Sequence, residues 1–287
     1  MKKGWEERIR LFLTSLCADD PGNRLEPGRD EPAWGAPLIG IAAGEDPWFP
    51  WLKEHIGPFY WTPYEIFAQT FPNHPATPLS VVSWILPQTA ATLAEQEEMR
   101  ELQSERWAHS RFYGEAFNQQ LRQKLCDFFA AVGVAAIAPE LSPDFGRRES
   151  SQHGYASNWS ERHAAFVAGL GTFGLSDGLI TPLGKAIRCG SVVVALPLAA
   201  TPRSYGDNPR AWCLHHAGRP CRACQERCPA GAISPRGHDK RGCHDYIRGV
   251  TTPYSIATYG VSITNCGLCQ AKVPCATQIP PALRPKS

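Results

Sequence analysis

Eight of the eleven cysteines in this 287-residue chain lie between Cys213 and Cys275, and that crowding constrains the fold more than any other feature. Cys17, Cys126 and Cys189 are scattered; the eight are Cys213, Cys221, Cys224, Cys228, Cys243, Cys266, Cys269 and Cys275. The N-terminus does not read as a secretory signal, because Glu6, Glu7, Arg8 and Arg10 interrupt it. Trp5, Ile9, Phe12, Leu13, Leu16 and Cys17 recur there at helical spacing, which predicts an amphipathic helix. The longest mainly apolar run, 192–200, includes Pro197 and is far short of the roughly 20 residues a spanning helix needs, so no membrane association is expected. The expected location is cytoplasmic, and in a reducing compartment clustered cysteines bind metal rather than pair as disulfides. Eight cysteines make two sets of four.

The spacing points to iron. Cys221-x2-Cys224-x3-Cys228-Pro229 matches the last three cysteines and the proline of the bacterial ferredoxin run, in which the cysteine before proline ligates the other cluster. The place of that run's first cysteine is taken by Gly218, which leaves Cys213 as the candidate for the missing ligand. The second group, Cys266-x2-Cys269-x5-Cys275, is two residues longer than usual, with Pro274 before its last cysteine. The crossover rule assigns Cys213, Cys221, Cys224 and Cys275 to one 4Fe–4S cluster and Cys228, Cys243, Cys266 and Cys269 to a second. Two zinc knuckles are the alternative that eight cysteines equally support. From residue 213 onward ten Lys and Arg face three acids, a formal +7. Two oxidised clusters of about −2 each would offset much of it, so the basic tail reads as charge compensation rather than as a nucleic-acid surface. The net charge of the whole chain, +2, gives no reason to expect such a surface either.

Before the cysteines the pattern alternates between strands and helices, as in an α/β or α+β domain. Segments 37–43, 79–86, 134–138 and 191–196 read as strands, and 90–106 and 115–132 as helices. The Pro/Gly/Asp-rich segment 201–210 is the expected linker, dividing the chain into 1–205 and 206–287. Within the first part, 147–190 is chemically suggestive: His153, Tyr155, Glu161-Arg162-His163, Gly169-Leu170-Gly171-Thr172-Phe173-Gly174 and Gly190-Ser191. Glycines at that density let the backbone approach a flat or charged ligand, or simply make tight turns. The run fits a dinucleotide fingerprint poorly, because a helix rather than a strand is expected before it.

Glu161-Arg162, Gly169-Leu170-Gly171, Gly190-Ser191, the Cys221/Cys224/Cys228-Pro229 run with Gly231-Ala232-Ile233, the isolated Cys243 and the Cys266/Cys269 pair occur in the same order in epoxyqueuosine reductase. Over about residues 75–275 the chain resembles that family and, more distantly, the corrinoid-dependent reductive dehalogenases. The resemblance implies an α+β protein, with a nitroreductase-like α/β domain followed by a ferredoxin-like domain with two 4Fe–4S clusters. It further implies a cobalamin or other corrinoid held by the first domain, with Gly169, Gly171, Thr172, Phe173, Gly190 and Ser191 as the candidate contacts. A low-potential donor such as ferredoxin or flavodoxin would supply the electrons.

Two departures from the family shape the expected chemistry. Tyr155 stands where epoxyqueuosine reductase has its proton-donating aspartate, and reductive dehalogenases use a tyrosine for that job. Arg147, Arg148 or Arg162 is the expected cationic neighbour that would lower its pKa; a merely hydrogen-bonded tyrosine is the plain alternative. The chain also stops twelve residues after Cys275, short of the family's tRNA-holding helical repeats, so a small molecule rather than tRNA is the expected substrate. The rival readings are a ferredoxin-type electron carrier and a corrinoid reductase or carrier serving another enzyme. A ligand-sized cavity rimmed by Gly171, Thr172, Phe173, Ser191 and Tyr155 would favour the enzyme, and a filled core there the carrier.

Overall fold

The computed structural model describes residues 4–284. The chain runs α1 (Trp5–Asp19), β1 (Leu38–Ala43), α2 (Trp48–Ile56), α3 (Pro63–Thr70), β2 (Ser80–Pro87), α4 (Ala90–Glu98), α5 (Glu105–Ala130) and β3 (Ala136–Ile137). There follow β4 (Arg147–Ser150), β5 (Gly154–Ser157), α6 (Glu161–Val167), β6 (Thr172–Phe173), β7 (Leu179–Ile180) and β8 (Ile187–Val194). The cysteine-rich part contributes α7 (Ala223–Glu226), β9 (Ile233–Ser234), β10 (Gly237–His238), α8 (Lys240–Tyr246) and α9 (Thr252–Tyr259). The class is α+β. Among the described residues no helix is long and apolar enough to cross a membrane.

The central sheet has strand order β1-β2-β8-β3, antiparallel throughout. Its two middle strands are buried along most of their length, which explains the near-continuous apolar runs at 79–86 and 191–194. Register places Trp84 opposite Gly190, and the glycine is needed there: a Cβ would stand 2.3 Å from the Trp84 indole. Helix α1 buries Ile9, Leu13 and Cys17, the face expected from their spacing.

Two helix expectations are corrected. The segment read as one helix over 90–106 breaks after Glu98, because the Gln96 side chain accepts the backbone N–H of Ser104 at 2.8 Å. Ser104 then caps α5, which starts ten residues earlier than the 115 read from its apolar stripe. Strand pairing also moves: β8 begins at Ile187, and of 134–138 only Ala136 and Ile137 pair with it.

The segment expected to be a linker is packed. Thr201 Oγ1 accepts from Ile41 N at 3.0 Å, Arg203 pairs with Asp46 at 2.6 Å, and Tyr205 is buried with its hydroxyl donating to the Phe166 carbonyl. Side chains from both sides of position 205 share one apolar core, including Val81, Phe166, Trp212 and Ile279.

Candidate metal centres

Cys213, Cys221, Cys224 and Cys275 line a single cavity of about 360 Å³, counted out to its mouth, with Lys185 and Ile180 in its wall. Cys213 is placed by the neighbouring Trp212, whose backbone N–H donates to Thr172 Oγ1 at 3.0 Å. Gly218, which stands where spacing calls for a cysteine, adopts φ +71° and closes the turn after Cys213, its N–H donating to the His215 carbonyl at 3.1 Å. Cys221 lies just before α7 and Cys224 within it. The loop of Cys275 is tied to the first domain: Lys185 N donates to the Cys275 carbonyl at 2.9 Å, and Ala186 N to that of Ala276 at 3.1 Å.

Cys228, Cys243, Cys266 and Cys269 form the second group. Burial, followed by the nearby Cys269, Cys243 and Cys228, pushes the Cys266 thiol up to about 12. The Cys243 thiol is pushed up to about 11 by burial and then by Cys269 and Cys228. In the first group burial raises Cys224 to about 11, with Lys185 opposing and Cys269 of the second group, then Cys275 and Cys213, adding to the rise. Thiols in this state give up their protons on metal binding. Among the described residues no three His, Cys, Asp or Glu converge tightly enough to hold a single metal ion.

The loops of the second group are held from the other domain. Gly267, at φ +74°, lies flat against Trp107, whose indole N–H donates to Asn265 at 2.8 Å, and the Gln96 amide donates to the Cys266 carbonyl at 3.0 Å. The Arg227 guanidinium donates to the carbonyls of Met99 (2.7 Å), Gln96 (3.1 Å) and Leu268 (3.3 Å). A Cβ on Gly267 would stand 2.0 Å from the Trp107 ring. Gly267→Ala should therefore displace the Cys266–Cys269 loop and lower the iron retained by the second group while leaving the first intact. Iron analysis with low-temperature EPR checks this.

Lys185 was invisible to spacing arguments. It is 2% exposed, donates to Ser176 Oγ at 3.0 Å, and its charge is opposed by burial and supported by Cys275, Cys269, Cys224 and Cys213, so it sits in the wall of the first group with Cys269 of the second also near it. A lone lysine in the apolar stretch before β8 was its only sequence signal. Cys17, Cys126 and Cys189 join neither group; burial pushes each up to about 12.

The glycine-rich segment does not open onto a ligand space. A Cβ on Gly171 would meet the Ile180 carbonyl at 2.5 Å, and one on Gly169, at φ +79°, the Thr201 carbonyl at 3.0 Å. Thr172 is fully buried under Trp212 N, and Ser191 is fully buried between Trp159 Nε1 (3.0 Å) and the Glu161 carboxylate. Phe173, partly buried, packs its ring 4.9 Å from that of His163. With Gly190 filled by Trp84, these positions are occupied by protein and do not fit a corrinoid.

Tyr155 is different. It is 39% exposed and lines an open pocket with His153, His238, Asp239, Lys240 and Arg241. Its ring lies 4.9 Å from that of His244, next to Cys243, so the phenol adjoins the second cysteine group. The expected cationic neighbours are corrected. Arg147 and Arg148 pair along the hairpin with Ser157 and Ala156, and Arg162 donates to the Asp177 carbonyl at 2.7 Å. Instead Arg241 stands 5.9 Å over the tyrosine ring and Lys240 Nζ donates to the Tyr155 carbonyl at 3.3 Å.

Behind α6 an ionic inlet escaped the sequence reading, because its members are far apart in the chain. Fully buried Arg122 pairs with Glu140 (2.6 Å), Glu161 (3.1 Å) and Glu115 (3.4 Å), and Arg188 with Glu115. Burial, opposed by Arg122, pushes Glu161 up to about 7.

Compared with known families and with curated proteins, the sequence matches none. Among solved structures the chain is similar to epoxyqueuosine reductase from Bacillus subtilis, at 17% identity and a TM-score of 0.46, covering 98% of this chain and 67% of that one. It is also similar to a selenomethionine-labelled epoxyqueuosine reductase, at 15% identity and a TM-score of 0.46, over 98% and 69% of the two chains. Likeness at this level concerns the fold and carries no argument about activity.

Proposed function

We propose that the chain is a two-cluster iron–sulfur oxidoreductase that takes electrons from a low-potential donor such as ferredoxin or flavodoxin and delivers them to a small molecule. The observation that supports this most is the sorting of eight cysteines into two groups, with Cys228, though part of the first motif, standing among Cys243, Cys266 and Cys269. Cys213, Cys221, Cys224 and Cys275 would hold one 4Fe–4S cluster, and the other four cysteines the second. When bound, the clusters supply one-electron transfer. Lys185 places a positive charge beside the first set and Cys269 of the second, and Arg227 fastens the Cys266–Cys269 loop to the turn after α4. Tyr155, open to solvent beside Cys243, holds a proton at Oη that a reduced substrate can take up.

A corrinoid, which the resemblance implies, has no seat on the glycine segment and no step is assigned to it. The filled core there favours the second reading, an electron carrier with no substrate of its own. Gel filtration of anaerobically purified protein mixed with hydroxocobalamin should show no retained corrinoid absorbance, and a stoichiometric retained corrinoid would overturn the filled-core reading of the glycine segment. For the enzyme, Tyr155→Phe should leave cluster reduction unchanged while lowering turnover by about 10²–10⁴-fold, the usual contribution of a positioned general acid. Equal turnover would remove Tyr155 from the chemistry.

A further inference from the structure

Arg111 is the one arginine of the ionic network that meets its carboxylates only at a distance, Glu115 and Glu140 favouring its charge without touching it. It makes no hydrogen bond or ion pair among the described residues, and its Nε is buried and unsatisfied. Position explains this only in part. Arg111 lies one helical turn before Glu115 on α5, where the two could meet. Both Glu115 oxygens are already committed, one to Arg122 at 3.4 Å and the other to Arg188. Glu140 is held by Arg122 at 2.6 Å, and Glu161 by Arg122 and Ser191. Four guanidinium groups, those of Arg111, Arg122, Arg162 and Arg188, share the carboxylates of Glu115, Glu140 and Glu161, with Asp177 beside Arg162, and burial pushes Glu161 toward neutrality. Burial, then the charge of Arg188, pushes Arg111 down to about 9. A guanidinium whose buried Nε has no hydrogen-bond partner is costly unless an anion meets it.

Solvent reaches this region: the Arg188 side chain is 32% exposed and Arg111 is only half-buried. Arg111 also lies one turn after Trp107, the residue on which Gly267 of the second cysteine group rests. Arg162 acts electrostatically on both Arg111 and Cys243. Arg111 thus lies on α5 between Trp107, which touches the loop of the second cysteine group, and Glu115 of the carboxylate network.

We propose that Arg111, with Arg162 and Arg188 beside it, binds an oxyanion group, a carboxylate or a phosphate, carried by the molecule on which the protein acts. The planar fork of a guanidinium matches both groups and gives them a fixed orientation. The class of substrate rests on the oxidoreductase reading above; the anion site itself does not.

The test is thermal unfolding of the reconstituted protein with inorganic phosphate or with benzoate, against sodium chloride at equal ionic strength, with iron content measured on the same samples. The proposal expects a saturable rise in Tm with one or both anions over chloride. That rise should be lost in Arg111→Gln and kept, with weaker affinity, in Arg111→Lys, both at wild-type iron content. Response to phosphate alone assigns a phosphate group, and response to benzoate alone a carboxylate. No anion-specific rise in the wild type, or an undiminished rise in Arg111→Gln, overturns the site. Anion binding in a protein that takes up no iron would overturn the oxidoreductase reading and leave the site standing.

Discussion

Replacing Cys228 by alanine should halve the iron of the reconstituted protein, from about eight to about four atoms per chain, and remove the EPR signal of the cluster that Cys243 ligates. Sequence proximity suggests the opposite, since Cys228 lies four residues after Cys224 and 15 before Cys243. The placement of the two cysteines supports the proposed crossover. Helix α7 carries Cys224 into the cavity shared with Cys213, Cys221 and Cys275, and Cys228, past its end, turns toward Cys243 and Cys266. Cys224→Ala is the matched control and should remove the other half. If Cys228→Ala kept the Cys243 signal and lost the one belonging to Cys213, the assignment of the two sets would be reversed.

Lys185→Met should have two opposite effects. With clusters bound, the variant should have lower midpoint potentials, because a buried positive charge beside both cysteine groups favours the more negative, reduced state. A unit charge several ångströms away at an effective dielectric of about 20 acts by about 2 kcal/mol. For a one-electron couple that is on the order of 100 mV. Without metal the thiols are protonated and the buried ammonium has only Ser176 Oγ as a hydrogen-bond partner, so the same substitution should raise the Tm of the iron-free protein. Spectroelectrochemical titration and thermal unfolding measure the two. Unchanged potentials at full iron content would show that Lys185 only fills space.

The iron-free protein should also lose stability as pH rises above about 9. Thiols such as Cys224 and Cys243, raised to about 11 by burial and their neighbours, hold protons in the folded state that the unfolded chain releases from the ordinary thiol pKa upward. Folding stability is therefore complete below that value and falls through the raised one; urea titration of metal-free protein across pH 8–11 follows it. A stability that rose over this range would mean the thiols are not buried together.

What the sequence made legible was what depends on spacing. The amphipathic face of α1 and the buried runs of β2 and β8 follow local periods, and Cys213, Cys221, Cys224 and Cys275 line one cavity. The break at Gln96–Ser104 was hidden because a side chain eight residues away replaces the helix's own bonding there. The glycines were read as openings toward a ligand, whereas Gly171 and Gly190 admit the Ile180 carbonyl and the Trp84 ring. Lys185, Arg111 and the Arg122 network carry no motif at all. Their meaning comes from which distant groups the sheet and α5 bring beside them.

Metal and acid-labile sulfide analysis of protein reconstituted without oxygen tests the central claim most directly. Two four-cysteine groups predict about eight iron and eight sulfide per chain, with two interacting signals on reduction. About two zinc per chain with no labile sulfide would contradict the account.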